Sequence, residues 1–132
     1  MTEKGKYMRF LCLIYTSVDV DGRLTPNEMN HLISEHFVFD EGLRQDGTMI
    51  VSEALALRDK SIVIRPDSKG FSVTDGPFVE TKEHLAGFYL LEAPDLEGAT
   101  EIAKRIPSAR YGAVEIRPVR VLTLHGDLAE NR

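Results

Sequence analysis

Cysteine is almost absent from this chain: Cys12 is the single one in 132 residues. No internal disulfide can form, and no cysteine cluster can hold a metal. Cys12 sits in the apolar run 10–15, where a buried, unreactive thiol is expected. Runs of Lys and Arg are missing as well, and the formal net charge is −5. That combination excludes affinity driven by phosphate-backbone electrostatics, so nucleic acid is not an expected partner. Long hydrophobic runs are also lacking. The run 10–15 is too short for a bilayer span or a signal h-region, and the opening MTEKGK is polar. A cytoplasmic protein with no membrane association is the expectation. No phosphate-binding glycine loop and no nucleophile elbow occurs, and no cofactor is expected. Without repeats, low-complexity tracts or linkers, the chain reads as one domain over 1–132, its core within about 7–122 and its tail beyond Leu124 polar and frayed.

What is present is an ordinary globular balance, 42% apolar and 28% charged residues, which excludes a disordered chain. Residues 8–15 are almost wholly apolar and read as a central strand. Thr25 can cap a helix, Pro26 suits its first turn, and Glu28 completes a capping box. Met29, Leu32, Ile33, Phe37 and Leu43 give that helix an apolar stripe, and Asp46-Gly47 ends it. Strands are predicted over 49–55 and 61–65. The turn at 67–70 returns the chain through 71–74, so the last two runs make a hairpin. Gly76-Pro77 is a strong turn signal. Beyond it, 85–91 is apolar on both faces, with Leu85, Gly87, Tyr89 and Leu91 on one and Ala86, Phe88 and Leu90 on the other. Pro94-Asp95 opens a second helix with the stripe Leu96, Ala99, Ile102, Ala103 and Ile106. In 113–119, Val114 and Ile116 alternate with Glu115 and Arg117.

Without the hairpin, the order is β-α-β-β-α-β, the split arrangement of ferredoxin-like α+β domains. Two helices would cover one sheet face. The other face would leave too much apolar surface in water for a monomer, which predicts a homodimer.

The segment DGPFVETKE at 75–83, followed by LAGFYLLE at 85–92, resembles the signature of the DGPF branch of the YCII-related family. Similarity extends through Tyr7-Met8, Ser52-Glu53-Ala54-Leu55 and Glu115-Ile116-Arg117-Pro118-Val119. The resemblance implies a ferredoxin-like α+β fold that pairs into a dimeric α+β barrel. It also implies a correspondence between His36 and a helix histidine, associated with acid–base work, in a shorter branch of the family.

Candidate residues carry a chemical and a structural reading side by side. His36 falls beside the first stripe, where it is either a polar flank or an acid–base group. Asp75 either bonds the turn backbone or acts as a general base in a cleft. Glu80, Lys82 and Glu83 form either a solvated, salt-bridged edge or part of a ligand site. Glu53 and Arg65 are further candidates, Arg65 for bidentate recognition of a carboxylate. Residues 17–28 mimic a calcium loop through Asp19, Asp21, Gly22 and Glu28. Ser17 replaces the first carboxylate and a strand replaces the entering helix, so no metal is expected. The function expected is cofactor-independent acid–base chemistry on a small organic molecule, isomerisation or elimination in type. The alternatives are a binding or regulatory module and a purely structural dimer.

Overall fold

The computed structural model describes residues 7–17, 22–78, 81–124 and 128–129. Its main elements are β1 (Met8–Ser17), α1 (Pro26–Gln45), β2 (Met49–Ala54), β3 (Ile62–Asp67), β4 (Gly70–Asp75), β5 (Glu83–Ala93), α2 (Leu96–Ala103), β6 (Gly112–Pro118), β7 (Val121–Leu122) and β8 (Leu128–Ala129). Short 3₁₀ turns occupy Arg58–Lys60 and Pro107–Tyr111.

Local chemistry starts both helices. Thr25 Oγ1 accepts from the Glu28 N–H at 3.1 Å, and the Thr25 N–H donates to Glu28 Oε1 at 3.0 Å. This capping box satisfies two backbone donors, and losing such a cap costs about 1 kcal/mol. Asp95 caps α2 by accepting from the Gly98 N–H at 2.8 Å.

The four-stranded sheet runs β2-β5-β1-β6 with every pairing antiparallel. With α1 after β1 and α2 after β5, this is ferredoxin-like topology, and β3–β4 is the inserted hairpin. Cross-strand partners share a face. Phe10/Leu91, Cys12/Tyr89 and Ile14/Gly87 therefore lie together, and Val114 and Ile116 join them from β6. The helices cover this face, and Leu43, Ala99, Ala103 and Ile106 complete the buried core. Phe10, Leu91 and Ile106 are fully buried, each worth roughly 1.5–3 kcal/mol. Cys12 has no exposure, and burial pushes its thiol up to about 11, as suits an inert core residue.

Two expectations need correction. Strict alternation groups Leu85 with Gly87 and Tyr89, but the register slips between Ile14 and Tyr15, so Leu85 pairs with Tyr15 on the opposite face. One extra residue inverts the alternation beyond it. Helical spacing puts Phe37 and Ile33 in the apolar stripe of α1, yet Phe37 is 70% exposed and Ile33 is 45% exposed. Both border a cavity instead of the core.

The uncovered face carries Leu11, Leu13, Phe88 and Leu90 in its middle rows, with Arg9/Glu92 and Glu115/Arg117 around them. On the hairpin, Ile62, Ile64, Phe71 and Val73 are 61–71% exposed. Among the described residues no helix is long and apolar enough to cross a membrane.

Candidate functional site

A cavity of about 380 Å³ opens between α1, β2, β5 and the Pro107–Tyr111 turn. Ile14, Ile33, Phe37, Ala54, Ala86 and Gly87 give it apolar walls, and His36, Asp40, Arg44, Ser52, Glu53, Tyr89 and Ser108 give it polar groups. Helical spacing brings His36 and Asp40 to one side of α1. Alternation turns Tyr89 of β5 toward that helix, and the β2 register sets Ser52 opposite Tyr89. A side chain on Gly87 would meet the Glu53 carbonyl at 2.8 Å, so glycine here permits the close approach of the two strands.

These groups form one hydrogen-bonded chain. Tyr89 OH donates to Asp40 Oδ1 at 2.5 Å, and Ser52 Oγ donates to Asp40 Oδ2 at 3.4 Å. His36 Nδ1 lies 2.8 Å from Tyr89 OH, and His36 Nε2 lies 3.1 Å from Ser108 Oγ. A phenol has one O–H, and Tyr89 donates it in a hydrogen bond to Asp40. His36 Nδ1 must therefore carry a hydrogen and donate it to the Tyr89 oxygen. That leaves Nε2 with its lone pair, accepting from the Ser108 hydroxyl.

The electrostatics agree with a neutral imidazole. Burial lowers the His36 pKa below its ordinary value and prevails over the opposing influence of Asp40 and Glu35, with Arg110 adding to the depression. Burial, together with the hydrogen bond to and negative charge of Asp40, raises Tyr89 well above the ordinary phenol range, so it stays a donor. Phe39 packs edge-on against Tyr89 at 5.8 Å between ring centroids. Outside the cavity, Arg110 grips Glu35 through Nη1 at 3.0 Å and Nη2 at 2.5 Å. This bidentate pair ties the turn bearing Ser108 to α1. The Arg110 hydrogen bond in turn lowers the Glu35 pKa.

Of the residues singled out in the sequence, His36 and Glu53 line this cavity. Glu53 lies opposite Phe88 of the uncovered face, which makes it a rim residue. Asp75, Arg65, Lys82 and Glu83 are not among the lining residues. Asp75 ends β4 opposite Ile62, and Arg65 lies over the Phe78 ring at 4.4 Å. Next to Asp75, the Gly76 N–H donates to the Ser61 carbonyl at 2.8 Å. Lys82 and Glu83 border a separate, more open hollow with Tyr15, Ser17, Thr81 and Tyr111. Arg58 Nη1 donates to the Thr81 carbonyl at 2.5 Å and so anchors that corner. Glu80, Asp19 and Asp21 lie outside the described residues, and Glu28 is engaged in its capping box. Among the described residues, no three His, Cys, Asp or Glu side chains converge to hold a metal ion.

Sequence reasoning missed Asp40, Arg44, Ser52, Tyr89 and Ser108. Asp40 was within reach, four positions from His36 on the same helix. Ser108 carried no signal, because a turn after a helix has no periodicity to read.

Residues 8–123 match the YCII-related domain. One relative is an uncharacterized protein of Rhizobium meliloti (strain 1021), 45% identical over 49 residues. That alignment spans 36% of this chain and 40% of the relative's length.

Proposed function

Because the chain belongs to the YCII-related domain family, we propose that the His36 cavity binds a small organic molecule and that His36 exchanges a proton with it. The protein is then a cofactor-independent acid–base enzyme of isomerase or lyase type. The observation that carries this is the imidazole itself. Burial disfavours its charged form, its Nδ1 contacts Tyr89 at 2.8 Å, and its Nε2 accepts from Ser108 at 3.1 Å, all three residues lining the cavity. Fixing the tautomer through a hydroxyl and a carboxylate is what a general base needs. Rotation of Ser108 about its single side-chain torsion frees Nε2 for a ligand proton. Arg44, whose 3.6 Å pair with Glu41 is exposed, is available to a ligand carboxylate or phenolate, since such pairs are worth little. Asp75, Arg65, Lys82 and Glu83 have no chemical role in this reading.

A thermal-shift screen of small carboxylates and phenolics, followed by product analysis on each hit, tests the proposal. Hits should give product with the native protein and none with His36→Gln. The rival reading is a binding module without turnover. Its support is that both imidazole nitrogens are already engaged, and binding without product would establish it.

We also propose that the chain belongs to the DGPF branch, on its DGPFVETKE segment. In this reading, two copies close their uncovered sheet faces into a dimeric α+β barrel. The apolar rows of Leu11, Leu13, Phe88 and Leu90 support this, because a soluble chain rarely leaves such a patch in water. Sedimentation at micromolar concentration is expected to give a dimer.

A further inference from the structure

We propose that Ser108 is a nucleophile, and that the cavity accepts activated acyl compounds such as aryl esters of small acids. This rests on the reading of His36 as the base of the site. A serine activated by histidine has its hydroxyl donating to an imidazole lone pair, with the other nitrogen held by an acceptor that fixes the tautomer. The chain Ser108–His36–Tyr89–Asp40 has that order, with contacts of 3.1, 2.8 and 2.5 Å. The Tyr89 hydroxyl stands where a carboxylate usually contacts the imidazole, and Asp40 holds it from behind. Direction matters as much as distance. Because Tyr89 donates its O–H to Asp40, the Nε2 of a neutral His36 accepts from Ser108, and the serine O–H already points at its base. Ser108, His36, Tyr89 and Asp40 all line the same cavity, so the hydroxyl and an acyl carbon can meet there.

The step balances without a cofactor. Ser108 Oγ bonds to the acyl carbon, the carbon–aryloxide bond breaks, and the serine proton passes through His36 Nε2 to the departing aryloxide. Water then bonds to the acyl carbon, the Oγ–carbon bond breaks, and the water proton returns through Nε2 to Oγ. Tyr89 and Asp40 act as positioning residues. The neighbouring Ala109 N–H is occupied by the Ile106 carbonyl at 2.9 Å, so it is not free to steady the oxyanion. This confines the expected substrates to esters with good leaving groups.

The test is incubation of the folded protein with a fluorophosphonate probe, with intact-mass and peptide mapping of the adduct. The expected result is a single adduct on Ser108, formed with loss of fluoride. Labelling should be slower by roughly 10²-fold or more in His36→Gln, the usual scale for a lost general base. Ser108→Ala should abolish the adduct and also the initial burst of p-nitrophenolate from p-nitrophenyl acetate. Circular dichroism confirms that each variant is folded, and Ser108→Cys, which keeps a nucleophile, should restore the burst. No adduct on Ser108, or labelling that is equally fast in folded His36→Gln, overturns the inference. That result leaves the acid–base reading standing if turnover of a screened ligand still depends on His36. Turnover that survives His36→Gln instead removes the acid–base reading.

Discussion

The Nδ1 atom of His36 and the hydroxyl of Tyr89 lie 2.8 Å apart, although 53 positions separate the residues in the chain. The phenol donates its hydrogen bond to Asp40 at 2.5 Å, so this contact decides which imidazole nitrogen carries the hydrogen. Tyr89→Phe keeps the ring and removes the link. It is expected to cost about 1–3 kcal/mol in urea denaturation, because His36 and Asp40 each lose a partly buried partner. Nitrogen NMR of the imidazole should show the tautomer preference weakened. An unchanged tautomer would falsify the role given to Tyr89.

Acidification should destabilise the protein in a window set by His36. Its folded pKa lies below the ordinary 6.5. Between that value and the folded one, the unfolded chain binds a proton that the folded chain refuses. Stability is therefore fully present above 6.5, falls as pH drops through the folded value, and then levels off. Glu28 and Glu35, whose pKa values are also lowered, act in a separate window below 4.5. Denaturant midpoints from pH 8 to pH 5 should trace the upper step, and His36→Gln should flatten it.

Gly87→Ala should damage both fold and site. The added carbon would meet the Glu53 carbonyl at 2.8 Å, and backbone cannot swing aside as a side chain can. Displacing β2 from β5 should cost about 1–3 kcal/mol, the usual scale of overpacking. Ligand binding in the cavity should weaken with it. A native melting temperature would mean that the strands separate more easily than their register suggests.

Leu13→Glu tests the barrel. Leu13 lies on the uncovered face between Phe88 and Glu115, so a charge there remains hydrated in a monomer and becomes buried in a dimer. Analytical ultracentrifugation should show monomers of this variant with native circular dichroism. A dimer of unchanged affinity would put the interface elsewhere.

Asp75→Asn separates the DGPF corner from the cavity. Asp75 lies at the end of β4, outside the lining of the His36 cavity, so the variant should bind any screened ligand within about twofold of the native protein. A loss beyond about tenfold, or 1.4 kcal/mol, would return the corner to the site.

Much of this architecture was legible in the chain because its causes are local. The Thr25–Glu28 capping box joins groups three residues apart, and the β3–β4 hairpin needs only a turn between two apolar runs. Val114 and Ile116 face the core by simple alternation. Tertiary structure decided the rest. A one-residue slip beside Ala86 put Leu85 on the other face, and nothing in the local sequence marks it. Phe37 satisfied the helical period yet stands at a cavity mouth, because periodicity sets a direction and says nothing of what occupies it. His36 could be suspected from its place on α1. Its partners Tyr89 and Ser108 lie 53 and 72 residues away and meet it only through sheet register and the path of the chain after α2. Hydrogen bonding requires distances near 3 Å, and for residues so far apart in sequence only the folded chain sets them.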